Sequence, residues 1–326
     1  MITNLSITTP VIGSIRLGET VEHNGKRIPK RNNHFSITSL FKHEGKWVPH
    51  PMQAEVGKVT GQDPEKITEI PVRLMFNNPA LNMRARYEAY TEGGDIICAG
   101  NGKCAKRRVN GQIESVECPG ARNCAFGRDK RCDLFARLNV QIEGQDDEFS
   151  SFILRTESIN AVKSLWAKMT GMAAFFGNRL VGIPFALKLR QATTAKSYWS
   201  RFYYADLVLN KVTKFEAAKL AIDYENAMEQ AGLKQAEYEQ TVQTGLDNGP
   251  FEDSGEDIQD LEEFLLARDL EVDMDESDDE SGVERETKPV QSTSDKMTGL
   301  RDFLEAVSAI PDINIPGNST NEAVTA

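Results

Sequence analysis

The sequence predicts an α+β fold: a β-rich mixed domain with an inserted cysteine-rich zinc loop, C-terminal helices and a disordered acidic tail. Three observations carry this expectation. Runs of β-branched and aromatic residues bounded by Gly, Pro and Asn fill the first half of the chain. Five cysteines, and no others, fall between Cys98 and Cys132. Beyond about residue 213 the texture turns to strong helix formers and then to acidic, aromatic-poor sequence.

In chain order, residues 1–75 read as strands and turns, in ITTPVIGSIRLG, HFSITSLF, KWVPH and ITEIPVRLMF. Asn24-Gly25 is a two-residue hairpin signal. His23, His34, His43 and His50 read as surface or strand-end residues, because none has a second ligand at short fixed spacing. ARYEAY suits a strand, Gly93-Gly94 a turn, and DIIC a short strand leading into the cysteines. After them LFARLNVQIE alternates, with Leu138, Val140 and Ile142 on one face and Arg137, Asn139 and Gln141 on the other. FSSFILRTES is a further strand. Ser158 then offers an N-cap for a helix from about Asn160 to Phe176, whose apolar face is Val162, Leu165, Trp166, Met169, Met172 and Ala173. Gly177 and Asn178 suit its end.

LVGIPFALKLRQATT reads as a strand pair or bent strand with Pro184 at a bulge or edge. YWSRFYYADLVLN is strand-like. Its Trp199, Phe202, Tyr203 and Tyr204, beside Arg190, Lys196 and Arg201, suit base stacking. Core packing is the preferred reading for most of them, since a strand cannot expose all four. Two helices come next, one to about Ala231 and one after Gly232. The expected organisation is a core at 1–210 carrying the cysteine loop at 98–132, a helical extension at 211–245 and an acidic, mostly disordered tail at 246–326. IQDLEEFLLARDL and LRDFLEAVSAI are short helices of partner-docking size within that tail.

The net charge of −11 divides unevenly. Between Asp247 and Glu286 stand 18 acidic residues and two arginines, whereas the first 246 residues hold 33 Lys and Arg against 26 Asp and Glu. The chain is a mildly basic body with an acidic tail. Its start lacks the charged and apolar runs of a secretory signal, and no stretch approaches the roughly 18 apolar residues of a membrane span. A cytoplasmic protein is expected, with reduced thiols that favour metal binding over disulfides.

Zinc takes four thiolate or imidazole ligands in a tetrahedron, with thiolates at about 2.3 Å. Cys98 and Cys104 form one C-x5-C pair, Cys118 and Cys124 a second, and Cys132 comes after them. One of the five is spare. Cys118, Cys124 and Cys132 are the primary candidates. Cys104, in a turn, is preferred to Cys98, which reads as a small strand residue. A closed four-cysteine shell leaves no place for a reacting water, so the zinc would be structural. Lys103, Lys106, Arg107, Arg108, Arg122, Arg128, Lys130 and Arg131 make the loop basic and suit contacts to phosphates or to an acidic protein face. No phosphate-binding loop, nucleophile elbow or H-E-x-x-H pair occurs, so no catalytic site is expected.

The runs PVIGSIRLGETVEHNGKRIPKRNNHFSIT, IPVRLMFNNPALNMRARYEAY, CAGNGKCAKR…ECPGARNCAFG…RC and RLNVQIE…SFILRTESINAVKSL…GIPFALKLR resemble the phage recombination directionality factor-like family over about residues 8–210. The resemblance implies a protein of a mobile element in a bacterial host. Such a protein binds a large serine integrase on DNA and biases it from integration towards excision, mainly through protein contacts. The five cysteines match the family's. Cys132-Asp133-Leu134 departs from an expected Cys-Lys-Pro and alters a nearby contact surface. Two other readings stay open. One is a nucleic-acid-binding protein of element maintenance or replication. The other is a metal-dependent hydrolase, a label that relatives often carry, which would need an open metal position.

Overall fold

A computed structural model describes residues 4–23, 26–91, 93–193 and 201–252. The backbone is a strand-rich α+β arrangement. Twelve strands join one sheet: β1 (Val11–His23), β2 (Lys26–His43), β3 (Lys46–Pro49), β4 (Glu69–Arg73), β5 (Met83–Tyr90), β6 (Ile96–Gly100), β7 (Cys104–Val109), β8 (Gln112–Glu117), β9 (Asp133–Ile142), β10 (Ser151–Thr156), β11 (Phe185–Thr193) and β12 (Arg201–Leu209). Among the described residues six α-helices accompany them: α1 (Met52–Thr60), α2 (Pro79–Asn82), α3 (Ala125–Asp129), α4 (Ile159–Phe175), α5 (Lys214–Gln230) and α6 (Gln235–Asp247).

The strand order is β3-β2-β1-β10-β9-β5-β6-β7-β8, and β9 also pairs with β4, which leads to β11 and β12. Only β1 and β10 pair in parallel; the other described pairings are antiparallel. The sheet curls, so that β11 and β12 approach β2. The Phe35 amide donates to the Ile67 carbonyl at 2.7 Å and bridges β2 towards the start of β4. Inside lie Ile15, Phe35, Ile37, Ile70, Val72, Phe152, Phe185 and Leu207, with Leu165 and Met169 from α4.

The local signals act as expected in most places. His23 pairs with Lys26 across β1 and β2; the expected Asn24-Gly25 turn lies outside the described residues. Leu138, Val140 and Ile142 enter the core together. The Ser158 hydroxyl accepts the Ala161 amide and caps α4. Gly232 separates α5 from α6, and the Thr213–Glu216 capping box starts α5.

Three expectations change. First, α1 lies where only strands and turns were expected; Met52 and Val56 pin its buried side, and nine residues give too few turns for a clear period. Second, the aromatic run of β12 does not form the core. Phe202, Tyr203 and Tyr204 are half-buried, while Ala205 and Leu207 take the interior. Trp199 and Lys196 lie outside the described residues, as does the Arg201 side chain. Third, residues 246–252, expected in the tail, pack on the body. Phe251 and Glu252 are buried, the Ser6 hydroxyl donates to the Leu246 carbonyl, and the Ile7 amide donates to that of Gly245. The two expected tail helices and the acidic tail beyond Glu252 lie outside the described residues.

Candidate functional site: the cysteine finger

The stretch 98–132 is not an irregular insertion. Its first half extends the main sheet by β6, β7 and β8, and only its second half, a 3₁₀ turn over Ala121–Asn123 followed by α3, folds back. Register therefore decides which cysteines meet. Ala89 pairs with Cys98, and Cys98 with Arg107; Gly100 pairs with Ala105, and Ala105 with Val116. Successive side chains alternate between faces. One face of the finger therefore presents Ala89, Cys98, Gly100, Ala105 and Arg107.

Cys118 joins this face, and Cys132 packs against it beside Phe126. Cys98 is 6% exposed and Cys118 8%. A methyl on Gly100 would stand 2.7 Å from the Cys118 Sγ, and one on Gly127 would stand 3.2 Å from the Cβ atoms of both Cys124 and Cys132. Glycine at these two places lets the backbone close around the sulfurs. Burial, followed by the neighbouring Cys98, Cys118 and Cys124, pushes the Cys132 thiol up to about 12. The Arg107 guanidinium donates to the Cys124 Sγ at 3.6 Å and lies 4.0 Å from the Phe126 ring centre. Burial opposes its charge, while hydrogen bonds to Cys98 and Cys124 hold it above the ordinary arginine range.

Cys104 stands apart. It is exposed on the opposite face of β7, its Sγ 3.7 Å from the Asn101 Oδ1. The same Asn101 oxygen accepts the amides of Lys103 and Cys104 and builds the turn that sequence reasoning placed there. The structure thus gathers Cys98, rather than Cys104, with Cys118, Cys124 and Cys132. Among the described residues no three His, Cys, Asp or Glu side chains stand as a formed metal-holding group. Thiols are the ligand type that zinc takes, but here the four are not placed as such a group. Among the histidines whose side chains are described none joins them: the His50 Nδ1 accepts the Met52 amide at the start of α1, and His34 and His43 lie on β2. His23 falls among side chains that are not described.

The basic residues divide by the same register. Arg107 turns towards the sulfurs, whereas Lys106 and Arg108 are exposed on the other face, where the Lys106 Nζ donates to the Ser115 hydroxyl at 2.7 Å. Lys103 is exposed in the turn before β7, and Arg122, Arg128, Lys130 and Arg131 are exposed on the fold-back.

Behind the finger, on the Lys106 and Arg108 face, runs an ionic stripe that the sequence did not reveal. On β5 it consists of Arg84, Arg86 and Glu88, and on β9 of Arg137. The Arg137 guanidinium grips Glu88 through three hydrogen bonds of 2.9 Å, and the Tyr90 hydroxyl also donates to Glu88. Burial, then the Glu88 charge, raises the Tyr90 hydroxyl above the ordinary tyrosine range. Glu252 closes the stripe, 2.7 Å from Arg84 and 2.9 Å from Arg86. Burial favours its neutral form, yet Arg84, Arg86 and Arg137 together hold its carboxyl below the usual range. Beside it Phe251 packs on Ile96 and Ala99, with the Arg108 guanidinium 5.6 Å from its ring centre. The alternation of β9 signalled a second face, but not that its arginine would be buried on a carboxylate.

The chain is thus a curled, strand-rich α+β sheet whose β6–β8 edge carries the cysteine-lined finger. The chain belongs to the Gp3-like, recombination directionality factor-like family, whose model matches residues 12–210, the finger included. Membership points to a regulatory role in phage recombination. Neither the curated proteins nor the solved structures contain a match. No helix among the described residues is long and apolar enough to cross a membrane.

Proposed function

We propose that this protein is a non-enzymatic regulator that binds a recombinase, a serine integrase on DNA, and biases it towards excision. The family match over 12–210 carries this reading. The finger is the contact surface, and one structural zinc ion held by Cys98, Cys118, Cys124 and Cys132 keeps it rigid. Zinc would supply a cross-link where little apolar surface is buried. Arg107, already on two of the sulfurs, would offset the negative charge of the thiolates.

The test pairs the protein with the serine integrase encoded on the same element. Co-purification and a shift of product from integration to excision are expected. No binding and no shift would overturn the reading. The exposed cations of the finger favour a second reading, direct DNA contact, which predicts affinity for duplex that falls steeply with salt in the absence of integrase.

A further inference from the structure

We propose that the acidic segment 253–275 docks on the Lys106 and Arg108 face of the finger and competes there with DNA. Glu252, the last described residue, is pinned to Arg84 and Arg86 on the same face of the sheet as Lys106 and Arg108. Phe251, one residue earlier, packs beneath the Arg108 guanidinium. The last described residues therefore lie beside β7, on the side of Lys106 and Arg108. The next 23 positions hold ten acidic residues against one arginine. That length reaches about 75 Å extended or about 35 Å as a helix, whereas the six residues of β7 span about 20 Å.

A tethered segment of opposite charge acts at an effective concentration on the order of millimolar. It needs no strong individual contacts to occupy the face at moderate salt, and added salt screens it. A duplex reaching the same cations must displace it. The acidic segment would thus suppress loose DNA binding and leave the face to a partner that competes better. Arg107, turned towards the sulfurs, takes no part.

The experiment uses the full chain. Zero-length carbodiimide coupling at low salt, read by peptide mass spectrometry, should join Lys106 and Lys103 to carboxylates within 253–275. The yield should fall several-fold at 0.5 M salt and exceed that at Lys163 and Lys219 on the helices. In parallel, a full-length variant with all ten carboxylates of 253–275 changed to amides should bind a random 30-base-pair duplex about tenfold more tightly. Adding Lys106→Ser and Arg108→Ser should cancel that gain. Cross-links spread evenly over the body lysines, or unchanged duplex affinity in the amide variant, would overturn the proposal.

Discussion

Strand β5 serves two dissimilar interiors along its length. Near its start Met83 and Ala85 face the main core, where Phe35, Phe152 and Phe185 are fully buried. Near its end Tyr87 and Ala89 face the finger, whose buried set is Ala89, Cys98, Ala105 and Cys118. A buried phenylalanine contributes about 1.5–3 kcal/mol through burial, whereas alanine brings a single methyl. The main core can stand on apolar area. The finger, with small side chains and sulfurs, has too little area of its own, and small units of that kind usually need a cross-link or metal. The same strand backbone thus runs from a region held by bulk to one held by specific bonds.

Substitutions can break this contrast, and the largest effect belongs to the main core. Phe152→Ala should cost about 3–5 kcal/mol and lower the denaturant midpoint of the whole body. Next comes the carboxylate that closes the ionic stripe. Glu252→Gln takes the counter-charge from half-buried Arg84, while Arg86 keeps Glu88 at 3.3 Å; it should cost about 3 kcal/mol, with amide exchange rising at 249–252 and along β5. Acid should mimic it. The folded Glu252 carboxyl titrates below its unfolded value. Its stabilisation is therefore complete above the unfolded range and disappears as pH falls through the folded value. Unfolding measured against pH should lose this contribution only below about pH 4.5, the unfolded end of that window.

Effects confined to the finger are smaller for the body. Gly100→Ala drives a methyl towards the Cys118 sulfur and should cost about 1–3 kcal/mol, read as lost amide protection over β6 to β8. Cys98→Ser should abolish stoichiometric zinc, measured by elemental analysis, and shift the main transition by less than about 1 kcal/mol. Cys104→Ser is the mildest change: zinc content should stay the same and stability should move by less than about 0.5 kcal/mol. If Cys104→Ser strips the metal and Cys98→Ser does not, the register argument for the shell fails.

Local signals were legible wherever local physics decides. The Ser158 cap, the alternation of Leu138, Val140 and Ile142 and the break at Gly232 are each set by neighbours a few residues away. The features that escaped were set at long range. Cys98 reads as a strand residue and is one, yet its pairing with Ala89 and Arg107 turns its sulfur inward. Cys104 reads as a turn residue, which is correct, but the turn carries it to the outer face. Which of the two lies beside the other sulfurs depends on sheet register, which spacing does not encode. Glu252 looked like one carboxylate among many in an acidic run. Only the meeting of β5, β9 and the segment after α6 distinguishes it.

The stitching of the first residues to α6 has a consequence during synthesis. The Ser6 hydroxyl is bonded to the Leu246 carbonyl, 240 positions later. At about 5–20 residues per second, the N-terminal segment waits roughly 10–50 seconds for that partner to be made. The parallel pairing of β1 with β10 likewise waits on residues 151–154. Until then the inner edge of the β1–β2 hairpin is open to the nascent chain's surroundings. A newborn molecule therefore passes through a period in which this hairpin edge needs shielding, and slowing translation after residue 150 should lengthen its exposure to chaperones and to other copies of itself.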